Sequence, residues 1–265
     1  MTIKLVDIGV NLVHRSFDAD RADLINRAVN LGVSVMIITG TNIAASYKAQ
    51  KLASQYPTVL YSTAGIHPHN ARECNEQTLS NLRSLLQKKE VVAVGECGLD
   101  YNRDFSPRPV QDKWFEAQIQ LACELKKPLF LHERDAHQRF VEILKSYQNQ
   151  LDKVVVHCFT GNGHELKAYL DLGFYIGITG WICDERRGKH LQDLVKKIPL
   201  DKLMLETDAP FLTPRDLNPK PKDNRNEPSF LLHILNSIAK LLGKSPIEIA
   251  QITTNNAEQF FNLGK

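Results

Sequence analysis

Eight short apolar runs recur along the chain, separated by amphipathic segments and polar loops. They cover residues 3–9, 33–39, 59–65, 91–96, 128–132, 153–157, 174–179 and 202–207. Such runs, rich in Val, Ile and Leu, read as strands buried on both faces, the pattern of a parallel sheet. Helical spacing marks the segments between them. Residues 17–32 open at Asp18 or Asp20 as N-cap and close at Gly32, while residues 110–128 form the longest segment and end at a proline. Two further helices, at 229–242 and 246–262, close the chain. Eight strand-then-helix units in 265 residues match the count and size of an α/β TIM (β/α)8 barrel. An open doubly wound sheet is the rival, but no G-x-G-x-x-G follows the first run. No repeat, low-complexity tract or linker marks a boundary, so one domain over 1–265 is expected.

Four of these runs lead directly into a metal-ligand type of residue. VVAVG precedes Glu96, PLFL precedes His132, KVVV precedes His157, and LMLET precedes Asp208. Packing does not call for a carboxylate or imidazole there. In a TIM barrel, however, the C-terminal strand ends build the active site, and these residues fall on strands four, five, six and eight. A lone strand-end histidine reads as a satisfied structural residue. Four ligand types at matching ends read as a divalent-cation site for Zn²⁺, Mn²⁺ or Mg²⁺. Such a cation polarises a carbonyl or phosphoryl oxygen and lowers the pKa of bound water. Asp208 would orient or deprotonate that water, or bind the metal as well. Glu206, two residues earlier, reads as a buried carboxylate that fixes neighbouring ligands.

A net charge of +3 is too small to mark a protein that coats nucleic acid, so polyanion binding must come from local clustering. Basic residues gather in the loops expected after strands: Arg15, Arg103, Arg108, Arg134, Arg186, Arg187, Arg215, Lys220, Lys222 and Arg225. Each alone is a solvated surface charge. Together they would form a basic rim around an acidic pocket, which suits a phosphodiester, with Arg134 and Arg215 as phosphate contacts. His67 and His69 of GIHPH end the third strand; His67 reads as a phosphate or leaving-group partner, or else as a histidine hydrogen-bonded beneath the pocket. Tyr101, Phe105, Trp181 and Phe211 stack on unpaired bases or pack back on the barrel. Residues 213–228, rich in Pro, Asn and charge, are long for a structureless connection and read as a functional loop. Cys74, Cys97, Cys123, Cys158 and Cys183 form no CxxC and read as buried free thiols. No run approaches the ~20 apolar residues of a membrane span, and the N-terminus carries no cleavage pattern. A cytoplasmic monomer is expected.

The motifs VGECGLDY (94–101), LHERDA (131–136), VVHCFTG (155–161), YIGITGW (175–181) and LETDAPFLTPR (205–215) resemble those of the TatD family of metal-dependent deoxyribonucleases. With DIGVNL (7–12) and GIHPH (65–69), the resemblance spans nearly the whole chain. It implies an amidohydrolase-like TIM barrel and a phosphodiesterase acting on DNA in the 3′→5′ direction. It also implies a role in DNA repair or degradation, and a divalent cation, Mg²⁺ first with Mn²⁺ or Zn²⁺ as alternatives. By position, Glu96, His132 and His157 match the family's metal ligands and Asp208 its catalytic, metal-proximal aspartate. Most members open with an aspartate followed by His-x-His; here Gly9 and Asn11 stand in those places after Asp7, which looks like a branch trait. Half of a two-metal centre is therefore expected, with one well-held cation and a second absent or recruited with substrate phosphates.

The leading function is hydrolysis of DNA phosphodiester bonds by a metal-activated water, as an exonuclease on single strands. RNA stays open as a substrate because nothing in the sequence tests for a 2′-OH. The same barrel would also support a metal-dependent amidohydrolase or deacylase acting on a small substrate. Against it stand the missing His-x-His, a Glu rather than a Lys on strand four, and the basic loops. A non-enzymatic scaffold is supported only by the two missing histidines.

Overall fold

A computed structural model describes residues 3–264. Its strands are β1 (Leu5–Val10), β2 (Val33–Ile38), β3 (Leu60–Ala64), β4 (Val91–Asp100), β5 (Leu129–Arg134), β6 (Val154–Val156), β7 (Tyr175–Ile178) and β8 (Leu203–Leu205). Its helices are α1 (Arg21–Asn30), α2 (Ile43–Ala53), α3 (Thr78–Leu86), α4 (Arg108–Leu125), α5 (His137–Ser146), α6 (Gly163–Asp171), α7 (Lys189–Leu194), α8 (Leu231–Leu242) and α9 (Pro246–Phe261). Every expected strand is present, and the eight lie in one sheet in the order β1 to β8. The first and last strands also meet, because Asn11 N–H donates to Ala209 O (2.8 Å) and Asp208 N–H to Gly9 O (2.8 Å). A parallel eight-stranded sheet whose ends join is a TIM (β/α)8 barrel.

The chain divides into two compact units. The first comprises Met1–Ile38, Cys158–Leu166 and Ile176–Lys265. Here β1 pairs with β2 and β7 with β8, both parallel. Leu231, Ile234, Leu235 and Ile238 recur at helical spacing on α8, and all four are fully buried. Burying one such side chain contributes roughly 1.5–3 kcal/mol. Helix α9 begins where the Ser245 side chain accepts Glu248 N–H (3.1 Å) and Pro246 takes the first helical position. At α1, Asp20 stands at the N-cap position but makes no capping bond, because its carboxylate pairs with Arg225 instead. Gly32 follows that helix at φ +97°, where a side chain would be strained.

The second unit comprises Thr39–His157 and Lys167–Tyr175. Strands β3 to β6 run parallel within it, and Phe115 of α4 stacks on Phe140 of α5 at 5.3 Å. Helix α4 stops at Leu125 because Lys126 turns left-handed (φ +50°); Pro128 then leads into β5. The expected strand ends need correcting here. Strand β4 runs on past Glu96 to Asp100, and β5 runs past His132 to Arg134. The two extensions pair with each other (Gly98 with His132, Leu99 with Glu133, Asp100 with Arg134), so polar residues continue the ladder that the apolar runs begin. The thiols also divide: Cys97 and Cys183 are buried, while Cys74, Cys123 and Cys158 are only half-buried.

Candidate metal centre

Two glycines in β4 shape the site. Gly95 (φ +143°) and Gly98 (φ +145°) flank the place where the β4–β5 register shifts, between Val94 and Cys97. A Cβ on Gly98 would lie 1.8 Å from the His132 carbonyl oxygen, and one on Gly95 2.1 Å from that of Phe130. Only glycine lets β4 approach β5 so closely. Glu96, directly after Gly95, is anchored by its N–H to Gly40 O at 2.7 Å and is 6% exposed.

Three imidazole nitrogens converge on one oxygen of this carboxylate. Glu96 Oε1 lies 2.7 Å from His157 Nε2, 3.1 Å from His132 Nδ1 and 3.4 Å from His67 Nε2. The partners settle which nitrogens carry protons. His67 Nδ1 accepts the His69 N–H (3.1 Å), so its proton sits on Nε2 and points toward Glu96. In the neutral ring, His132 Nδ1 donates to Glu96 and Nε2 keeps its lone pair. That Nε2 is buried and makes no hydrogen bond among the described residues, with Asp100 Oδ2 3.5 Å away. Asp100 Oδ2 also lies 2.5 Å from His69 Nε2, while its Oδ1 accepts the N–H groups of Asn102 (3.1 Å) and Arg103 (2.9 Å).

Charge and burial oppose each other at this cluster. Burial pushes the Glu96 carboxyl up, but His157, His67 and the hydrogen bonds from His132 and His157 outweigh it and hold Glu96 well below the usual carboxylate range. Burial pushes His67 down to about 4. It pushes His132 down too, but the Asp100 and Glu96 carboxylates beside it leave that ring above its ordinary value. Asp100 is buried as well, yet the histidines around it hold its carboxyl below the ordinary range.

The donors fit a divalent cation. Ligand atoms of His67, Glu96 and His132 all lie within 4.8 Å of one another, and His157 Nε2 reaches the same carboxylate; with both His67 nitrogens engaged, Glu96, His132 and His157 are the donors left for the ion. His132 shows the arrangement common to metal-bound histidines, one ring nitrogen donating to a carboxylate and the other left with a lone pair. Imidazole and carboxylate donors suit Zn²⁺ or Mn²⁺ and accept Mg²⁺.

Helix α4 holds the surrounding backbone through two buried glutamines, seven residues apart and so on one face. Gln118 accepts the Ile66 N–H (2.7 Å) and donates to Ile66 O (3.2 Å), which fixes the residue before His67. Gln111 accepts the Asp100 N–H (2.8 Å) and donates to Asp100 O (3.1 Å) and Ser106 O (2.8 Å). Sequence reasoning missed Asp100 and both glutamines, and named His69 without giving it a role. The signal for Asp100 was alternation: Glu96, Gly98 and Asp100 share a face once β4 continues past Glu96.

Within the first unit, Asp208 stands just after β8 in the left-handed region (φ +53°), and Asn11 Nδ2 donates to its Oδ1 at 2.9 Å. Asp7 is fully buried, and its carboxylate accepts from Thr207 N–H (2.9 Å), Thr207 Oγ1 (2.5 Å) and Gly9 N–H (3.3 Å). Burial pushes its pKa up to about 8 against these bonds. Glu206 is fully buried and accepts the N–H of Cys158, the residue after His157.

The basic residues separate into bound and open ones. Arg225 pairs with both Asp20 oxygens (2.9 and 2.6 Å) and donates to Ser16 O (2.7 Å), and Arg108 grips Asp104 and covers the Tyr101 ring. Both are structural, because an arginine already bound this way has little left to offer a phosphate. Arg134 is exposed with no side-chain partner among the described residues. Arg215 is also exposed, its Nε 3.7 Å from Asp184 Oδ2. Phe105 and Phe211 are exposed as well, the first edge-on to His69 and the second edge-on to His14. The Trp181 ring faces Arg187 at 5.8 Å.

Barrel and donor set together define a metal-dependent hydrolase of the TIM-barrel class. The chain belongs to the TatD related DNase family, whose profile matches residues 6–262. It is 51% identical over 259 residues to a protein of Rahnella sp. (strain Y9602) named 3′-5′ ssDNA/RNA exonuclease TatD, covering 98% of each chain. It is likewise 51% identical to the protein of that name from Erwinia tasmaniensis, covering 98% of this chain and all of the relative. The crystal structure of the TatD homolog YjjV from Escherichia coli K12 superposes with a TM-score of 0.90 at 28% identity, covering 99% of both chains. Family membership places the chain among metal-dependent hydrolases of phosphodiester bonds, ahead of the amidohydrolase and scaffold alternatives.

Proposed function

We propose that this chain removes nucleotides from the 3′ end of single-stranded DNA, and of RNA as well, with a divalent cation held by Glu96, His132 and His157. The observation that carries this reading is the convergence of three imidazoles on Glu96 Oε1, in a chain 51% identical to proteins named 3′-5′ ssDNA/RNA exonucleases. A bound cation, Mg²⁺ in use, supplies a Lewis acid for the phosphoryl oxygen and lowers the pKa of a bound water. Asp208 takes the role of the carboxylate that orients and deprotonates the water, and Asn11 fixes its Oδ1. The Nε2–H of His67, only 3.4 Å from Glu96 Oε1, turns to a phosphate oxygen when substrate enters, while Nδ1 stays engaged by the His69 N–H. Arg134 and Arg215 contact flanking phosphates, and Phe105 and Phe211 offer stacking surfaces for unpaired bases.

The test uses a single-stranded oligonucleotide labelled at its 5′ end, in DNA and RNA forms, with Mg²⁺. The expected result is a ladder shortening one nucleotide at a time, which a 3′-terminal phosphorothioate stops. Cutting of a circular single strand would contradict exonuclease action.

A further inference from the structure

The first unit holds a second group of ligand-type side chains. We propose that Cys183, Asp216 and His233 bind Zn²⁺ and fasten the irregular segment 209–228 to helix α8. One ligand atom from each residue lies within 4.8 Å of the other two. His233 Nε2 and Asp216 Oδ1 are already 2.7 Å apart. A tetrahedral zinc with bonds of about 2.0–2.3 Å places ligand atoms roughly 3.3–3.8 Å from each other. Small rotations of side chains therefore suffice to seat the ion.

The chemistry of the three donors selects the metal. A thiol, an imidazole and one carboxylate suit zinc, whereas Mg²⁺ and Ca²⁺ require oxygen ligands. The geometry leaves room for a fourth ligand. Cys183 is 5% exposed, whereas the side chains of His233 and Asp216 are 29% and 51% exposed. The cluster is thus closed on the sulfur side and open on the other, where an ion can enter and a water can complete the tetrahedron. Ser237, one helical turn after His233, accepts a hydrogen bond from the thiol at 3.5 Å and would steady the sulfur. Burial and the neighbouring Asp216 push the Cys183 thiol up to about 12, against the Ser237 hydrogen bond. Zinc takes the thiolate, so binding displaces the thiol proton.

The three ligands come from separate places. Cys183 ends the short turn Gly180–Cys183 after β7, Asp216 belongs to the irregular segment, and His233 lies in the first turn of α8. Asp216 also follows Arg215, so an ion here fixes the backbone that carries that cation.

Titration of the full chain with Co²⁺ tests the proposal without reference to activity. The strand-end donors are nitrogen and oxygen, so a thiolate-to-cobalt charge-transfer band reports on the sulfur ligand. The expected result is such a band with tetrahedral d–d absorption, removed by equimolar Zn²⁺ and untouched by excess Mg²⁺. Cys183→Ser should lose the band. His233→Gln, a change at a part-exposed position, should lose it as well, which guards against a folding defect in the first variant. Absence of the band from the unmutated chain, or its persistence in either variant, would overturn the site.

Discussion

Asn11 follows directly on β1, and its amide decides what that strand contributes: it donates to Asp208 Oδ1 at 2.9 Å. Asp208 sits at φ +53°, a backbone conformation that needs support from its surroundings. Its N–H donates to Gly9 O, and Asn226 Nδ2 holds the carbonyls of Thr207 (2.8 Å) and Phe211 (2.6 Å) on either side. Asn11→Ala should lower kcat by about 10–100-fold, the usual effect of losing a partner that orients a ligand or catalytic group, with KM nearly unchanged. Steady-state kinetics on a short oligonucleotide would check this; an unchanged kcat would show that Asn11 has no part in orienting Asp208. Glu96, His132, His157 and Asp208 stood out as candidates in the sequence because an apolar run ends beside each. His67 was visible as part of GIHPH, but its place among the Glu96 donors was not, since it depends on the conformation of the turn after β3.

At the scale of elements, strand positions were legible because β-branched runs announce them, and their ends were not. Strand β4 extends through Gly98, a residue that normally weakens a strand, since Gly98 meets the His132 carbonyl where any side chain would clash. The roles of Gln111 and Gln118 were hidden for a related reason: a polar residue on a long helix reads as solvent-facing until its partners are known. Gln118→Leu keeps approximate volume but leaves the buried N–H and C=O of Ile66 unpaired. It should cost roughly 1–3 kcal/mol in urea unfolding and reduce activity through the displaced His67. Full stability in this variant would refute the clamp.

Arg225 also acts at this scale, by tying the irregular segment to the start of α1. Its two bonds to Asp20 are charge-assisted and partly shielded, with side chains 21% and 28% exposed. Arg225→Met should cost about 1 kcal/mol at neutral pH. Hydrogen bonding from Arg225 lowers the Asp20 pKa below its ordinary value. The folded state therefore holds this proton less tightly than the unfolded chain. The pair's contribution is present above the unfolded pKa of about 4 and fades as pH falls through the lower folded value. Urea melts of wild type and Arg225→Met should differ at pH 7, with the difference shrinking progressively as pH falls below about 4.

For the molecule as a whole, the TIM barrel was legible from the count of units alone, and β1 meeting β8 completes it. The basic rim was the least legible feature. Charge can be counted in a sequence, but which arginines already hold a carboxylate cannot, and the structure removes Arg108 and Arg225 from that list. The central claim is that Glu96 and its histidines hold the cation on which hydrolysis depends. Its most direct test strips the protein with chelator and follows digestion of single-stranded DNA as Mg²⁺ is restored, with Glu96→Ala alongside. Wild type should be inactive when stripped and recover fully, while Glu96→Ala keeps its melting temperature within a few degrees and stays inactive at every Mg²⁺ concentration. Activity in the stripped wild type, or recovery in Glu96→Ala, would contradict the account.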